Sequence, residues 1–231
     1  MTRGAKGIDT VLFDLDGTLT DPFVGITRSI QYALEKLGAP VPAAEELGWC
    51  IGPPLWESFA VLLGQDGETL DGESGEDKAL LDRAVALYRE RYTSVGLYEN
   101  ELIAGIAPLV EALTGAGFTL YVATSKPHAY AGKIVEHFGL MPQFRKVYGS
   151  ELDGTRSAKA ELIAHLIEQE ARDAARCVMI GDRKHDLVGA HANDMRAIGV
   201  TWGYGSLEEL AAEHPAFIAR LPDEIRAWLS V

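Results

Sequence analysis

Val11-Leu12-Phe13-Asp14-Leu15-Asp16-Gly17-Thr18 sets an apolar run directly against two carboxylates, a glycine and a hydroxyl. A short, unbroken run rich in β-branched and aromatic residues is how a strand buried on both faces of a parallel sheet reads. Val11–Phe13 is therefore read as the first strand, with the polar residues lying beyond its carboxyl end. Four further runs have the same character: Phe118–Ala123, Lys146–Tyr148, Cys177–Ile180 and Ala197–Val200. Helical patterns at about 108–115, 128–138, 158–170 and 186–194 separate the later runs. Such alternation predicts right-handed crossovers and an α/β fold with an open, doubly wound parallel sheet.

Between the first and second strands lies a long gap, residues 22 to about 100, with no convincing strand. Asp21 is placed to cap a helix with Pro22 at its first position and Gly38 after its end. Phe23, Ile26, Ile30, Leu34 and Leu37 fall at helical spacing within it. A second helix is predicted from Pro54 to Leu63. A third is predicted from about Asp77 to Tyr92, with Leu80, Leu81, Ala84, Leu87 and Tyr88 on one side. The expectation is a helical domain over 22–100 inserted into a core of 1–21 and 101–231. Within the insertion, Gly64 to Asp77 carries six acidic residues, four glycines and no basic residue. That is the composition of a flexible loop, and its spacing misses the calcium-loop pattern.

In an open parallel sheet a ligand sits beyond the carboxyl ends of the strands. Here the first strand ends in Asp14-Leu15-Asp16-Gly17-Thr18, the second in Thr124-Ser125-Lys126, and the fourth in Gly181-Asp182-Arg183-Lys184-His185-Asp186. Asp14 and Asp16 are two apart in a segment read as extended, so both are expected to point the same way. Asp182 and Asp186 arrive from another strand. Carboxylates so close repel one another and take up protons unless something neutralises them. A hard divalent cation suits oxygen ligands, and magnesium combines a few carboxylates with water and a substrate phosphate. The plain alternative for each aspartate is a helix cap or a solvated loop end.

Lys plus Arg total 21 and Asp plus Glu 34, a formal charge of −13. That balance argues against broad binding to a nucleic-acid polymer or an anionic membrane. A small anionic substrate, which needs only local positive charge, is still allowed. The two cysteines, Cys50 and Cys177, make neither a disulfide scaffold nor a zinc site and read as packed residues. No run approaches a membrane span, and the basic N-terminal residues are followed by a stretch cut by Asp9 and Asp14, unlike a signal peptide. A cytoplasmic location is the expectation.

Taken in order, these motifs resemble the haloacid-dehalogenase-like (HAD) superfamily. Asp14-Leu15-Asp16-Gly17-Thr18 looks like its first motif, Thr124 its second, Lys159 its third, and Gly181-Asp182-Arg183-Lys184-His185-Asp186 its fourth. The resemblance implies a Rossmann-like core with an inserted α-helical cap, as in the phosphoglycolate-phosphatase-like branch. Ala123-Thr124-Ser125-Lys126-Pro127, His137-Phe138-Gly139-Leu140, Gly149 to Arg156 and Lys159-Ala160-Glu161 are similar to a bacterial 5′-nucleotidase-like or phosphoglycolate-phosphatase-like group.

By that resemblance Asp14 is the nucleophile and Asp16 the general acid and base. Magnesium is held by Asp14, Asp182 and the backbone carbonyl of Asp16. Lys159 and Thr124 stabilise phosphoryl charge, Asp186 supports the metal site or orients Lys159, and Thr18 is a further supporting residue. Taken alone, Lys159 reads as an exposed residue in a helix's first turn, and Thr124 and Ser125 as helix caps, a role compatible with phosphate binding by both at the same N-terminus. Lys126, Arg183 and Lys184 read either as surface charges or as phosphate contacts. His185 and His191 read as structural.

A dehalogenase releases halide and needs no second aspartate, so Asp16 favours phosphoryl chemistry on a small phosphorylated metabolite. A phosphomutase and a non-catalytic phosphate-responsive protein remain open. Gly52-Pro53-Pro54-Leu55 looks like the cap's substrate-facing loop, or a structural turn. The flanking Trp49 and Trp56 are read as packing or as a stacking face for a base.

Overall fold

The computed structural model describes residues 5–64 and 75–231. The chain begins with strands β1 (Thr10–Phe13) and β2 (Thr20–Asp21), then helices α1 (Phe23–Leu37), α2 (Leu55–Leu62) and α3 (Gly75–Arg91). It continues through β3 (Glu101–Leu102), α4 (Ile106–Gly115), β4 (Thr119–Pro127), α5 (His128–His137) and β5 (Lys146–Ser150). It ends with α6 (Lys159–Gln169), β6 (Cys177–Gly181), α7 (Lys184–His191), β7 (Arg196–Val200), α8 (Leu207–Ala212), β8 (Phe217–Ala219) and α9 (Pro222–Leu229). Two compact units result: Met1–Asp21 with Glu101–Val231, and Pro22–Asn100.

The first unit is built on a six-stranded sheet in the order β5-β4-β1-β6-β7-β8, every neighbouring pair parallel. The strand that opens the sequence is thus central. Leu12 stands between Tyr121 of β4 and Met179 of β6, and all three are fully buried. Leu12, Tyr121 and Met179 share one core cluster with Leu162, Ile163 and Leu166 of α6 and Leu187 and Ala190 of α7. The sixth strand, β8, and the helices α8 and α9 were not anticipated. β8 has three residues and α8 six, too short for a periodic signal to rise above its surroundings, whereas α9 has eight and buries Ile225, Trp228 and Leu229 at helical spacing. β2 and β3 pair antiparallel as a small separate ribbon.

The second unit is helical. The apolar stripe of α1 is buried through Ile26, Ile30, Ala33 and Leu34, and Phe59, Leu81, Ala84 and Tyr88 are buried with it. Tyr88 stacks on Tyr92 at 5.1 Å, where the chain leaves α3 through a π turn, Tyr92–Gly96. Leu80, expected on the buried side, is 37% exposed. Asp21 does not cap α1: Pro22 holds the cap position without a side-chain bond, and Asp21 belongs to β2. Gly38 closes the helix in the left-handed conformation. The acidic loop falls mostly at residues 65–74, outside the described residues, and its last residues, Gly75–Asp77, start α3.

Both cysteines are buried, which pushes the Cys50 thiol up to about 12 and the Cys177 thiol up to about 11. Neither is a reactive thiolate at neutral pH. Among the described residues no helix is long and apolar enough to cross a membrane.

Leu12→Ala should cost about 2–5 kcal/mol in urea unfolding, because it opens a cavity in the middle of the sheet. Val24→Ala, at a position 41% exposed on α1, should change stability by less than about 0.5 kcal/mol. Equal effects would mean that the β4-β1-β6 core is not where stability resides.

Candidate active site

The carboxyl ends of β1, β4 and β6 are adjacent because these strands are neighbours in the sheet. Asp14 follows β1 directly, its N–H donating to Ile180 of β6 at 2.9 Å. The chain then bends at Leu15 instead of staying extended. Each of the two aspartates takes its own cation. Asp14 Oδ1 accepts from Lys159 at 2.8 Å, and Asp16 Oδ2 pairs with Lys126 at 2.7 Å.

Lys159 opens α6 yet is only 6% exposed, so its reading as a solvated first-turn residue is corrected. Its ammonium donates to Asp14 Oδ1 and Asp186 Oδ1, both at 2.8 Å, and to the Ala123 carbonyl at 2.9 Å. All three N–H donors are used, by groups from β1, α7 and β4. Burial alone would lower its pKa, but Asp14 and Asp186 outweigh that and hold the ammonium above the ordinary lysine range.

Asp14, Asp182 and Asp186 bring carboxylate oxygens within 4.8 Å of one another. At an effective dielectric of about 20, each such pair of charges repels by about 3 kcal/mol or more. One ammonium does not neutralise three carboxylates. Burial, with the neighbouring aspartates, raises the pKa of Asp182 well above the usual carboxylate range. Burial likewise raises Asp186, against the pull of Lys159. Asp182, fully buried, accepts from the Thr18 hydroxyl at 3.2 Å and the Tyr204 N–H at 2.8 Å. Hard oxygen donors, close, buried and under-neutralised, have the chemistry of a divalent-cation site, and Asp14, Asp182 and Asp186 fit one. The Asp16 carboxylate stands outside this cluster, paired with Lys126.

Thr124 is buried, and its hydroxyl accepts from the Lys126 N–H at 3.2 Å. It does not cap α5, whose cap position is Pro127. The Ser125 carbonyl accepts from the Ser150 hydroxyl at 2.8 Å. Lys126 is no surface charge, since its side chain is only 7% exposed. Burial raises Asp16 above the ordinary range even though Lys126 opposes this. Arg183 turns elsewhere, its Nε donating to Glu209 at 2.9 Å, while its backbone N–H donates to Asp186. The Lys184 N–H also donates to Glu209 and its side chain is exposed. Sequence reasoning missed Trp202 and Tyr204, which bond Thr18 and Asp182 from the loop after β7. Their signal was an aromatic–glycine alternation just beyond a buried strand.

A model of the haloacid dehalogenase-like hydrolase family matches residues 11–200 of the chain. The chain belongs to the haloacid dehalogenase-like hydrolases. A Pseudomonas aeruginosa protein named 5′-nucleotidase is 51% identical over 215 residues, covering 93% of this hydrolase and 92% of that protein. The Mycobacterium tuberculosis protein named tyrosine-protein kinase PtkA is 38% identical over 223 residues, 96% of this chain and 72% of its own. Among solved structures, a predicted phosphatase from Clostridium acetobutylicum superposes with a TM-score of 0.87 at 38% identity, covering 97% and 99% of the two chains.

The raised carboxylates of this hydrolase have a consequence for pH. A native pKa above the unfolded one means that the native state holds more protons. That stability is present below the ordinary carboxylate pKa and is lost as pH rises through the native value. In EDTA, Asp182→Asn should therefore melt above wild type at pH 8, with the advantage shrinking as pH falls towards about 4. A variant less stable than wild type at pH 8 would contradict the like-charge account.

Proposed function

We propose that this hydrolase is a magnesium-dependent phosphatase acting on small phosphomonoesters, nucleoside 5′-monophosphates foremost and 2-phosphoglycolate second. The observation that carries the reading is the division of the two aspartates. Asp14 is held by Lys159 inside the carboxylate cluster, and Asp16 stands apart with a raised pKa. One suits a nucleophile and the other an acid. The 51% identity to a protein named 5′-nucleotidase supports the substrate class.

In this mechanism the Asp14 carboxylate attacks phosphorus and forms an aspartyl-phosphate, splitting one hard displacement into two. The departing alkoxide takes its proton from Asp16, whose burial favours the protonated form. Asp16 then accepts a proton from the water that attacks the acyl phosphate, releasing inorganic phosphate and restoring Asp14. Lys159, the Thr124 hydroxyl and backbone N–H groups at the strand ends offset charge on the equatorial oxygens. Asp14, Asp182 and the Asp16 carbonyl would hold magnesium, with Asp186 behind them. When bound, the ion neutralises carboxylate charge and clamps phosphoryl oxygens.

The helical unit Pro22–Asn100, inserted just after the first motif, is assigned the role of a cap that selects the substrate. Its Gly52-Pro53-Pro54-Leu55 turn, which leads into α2, is the proposed substrate-facing element. Trp56 donates to Asp82 at 3.3 Å, whereas Trp49 is 41% exposed and is the proposed stacking residue for a base.

A second reading, transfer of the phosphoryl group to another acceptor, draws on the relative named a tyrosine-protein kinase. The two differ in product, so the balance of free phosphate and transferred phosphate decides between them.

Hydrolysis of AMP should stop in EDTA and return with magnesium, and turnover unaffected by EDTA would overturn the metal reading. Asp14→Asn should lose on the order of a thousandfold or more in kcat/KM. Asp16→Asn should lose about 10²–10⁴-fold on AMP. On an aryl phosphate, whose leaving group needs little protonation, the same variant should lose much less. Equal losses on both substrates would remove Asp16 from the role of general acid.

A further inference from the structure

The loop after β7, Thr201-Trp202-Gly203-Tyr204-Gly205-Ser206, takes no part in the chemistry above, yet it encloses Asp182. The Tyr204 N–H donates to Asp182 Oδ2 at 2.8 Å. A Cβ on Gly203 would lie 2.3 Å from that same oxygen and 2.4 Å from the Gly17 carbonyl oxygen. A Cβ on Gly205 would lie 2.0 Å from the Asp182 backbone oxygen. These glycines let one stretch of backbone close on an aspartate from two directions.

The aromatic side chains of the loop, Trp202 and Tyr204, bond the segment that follows Asp16. The Trp202 indole N–H donates to the Thr18 carbonyl at 3.1 Å, and the Thr18 hydroxyl donates in turn to Asp182 Oδ1 at 3.2 Å. The Tyr204 hydroxyl donates to Asp21 at the end of β2. Both rings therefore fasten the loop to the segment that follows Asp16, and Asp182 is held between the two. Such holding matters because Asp182 faces two like charges. Left loose, its carboxylate would rotate away from Asp14 and Asp186 and the cluster would open.

We infer that Trp202 and Tyr204 are positioning residues, which keep the Asp182 carboxylate oriented for a divalent cation through Thr18 and the Tyr204 amide. This rests on the metal reading of the cluster. Groups behind a metal ligand are worth about 10–100-fold in metal affinity.

The test is calorimetric titration of magnesium into metal-free wild type, Trp202→Phe and Tyr204→Phe, with melting in EDTA alongside. Each variant keeps a ring and loses one donor. The magnesium Kd should rise about 10–100-fold. Saturating magnesium should return kcat on AMP to near the wild-type value. The Trp202→Phe effect should also shrink in a Thr18→Val background, since part of it acts through the Thr18 hydroxyl. Unchanged magnesium affinity with a lowered melting temperature in EDTA would make both residues merely structural and overturn the inference. Wild type that binds no magnesium would instead overturn the metal reading and this inference with it.

Discussion

The Lys159 ammonium is buried where three chain segments meet, and the arrangement of the rim follows from the need to satisfy it. It reaches Asp14 beyond β1, Asp186 on α7 and the Ala123 carbonyl on β4. An unpaired buried ammonium would cost several kcal/mol, so α6 must start where those three acceptors converge. The same contacts draw Asp14 and Asp186 together, and Asp182 joins them within 4.8 Å. One cation thus assembles more negative charge than it neutralises. That imbalance makes the site receptive to a second cation, which on binding would offset the local negative field of a net −13 protein.

The sheet supplies the rigidity this requires. β1 lies between β4 and β6, so the ends of the three strands are held by parallel ladders on both sides. Asp14 cannot shift without breaking its N–H bond to Ile180. Asp16, past the bend at Leu15, is freed from that ladder and takes Lys126 as its own partner. Two carboxylates two residues apart thereby occupy different electrostatic surroundings. That is the condition for giving them different work.

Much of this was legible in the residues. The apolar runs Val11–Phe13, Phe118–Ala123 and Cys177–Ile180 identify strands because burial on both faces leaves no room for alternation. Asp14, Thr18, Asp182 and Asp186 could be named because they stand just past those strands. Lys159 was legible only through motif order, since nothing local distinguishes a buried first-turn lysine from a solvated one. Lys126 and Arg183 were indistinguishable in sequence. One is buried against Asp16 and the other faces Glu209, a difference set by tertiary packing. β8 and α8 were too short to carry a period. The Trp202–Tyr204 loop acts through backbone N–H groups and close glycine contacts, which residue identity barely records.

The central claim is that Asp14 forms the covalent intermediate. Mixing the protein with AMP and magnesium, quenching within a turnover, reducing with borohydride and sequencing the peptides by mass spectrometry tests it directly. Borohydride converts an aspartyl-phosphate to homoserine. The account predicts homoserine at position 14 alone, dependent on both AMP and magnesium. Homoserine at position 16, or turnover with no trapped residue at all, would contradict it.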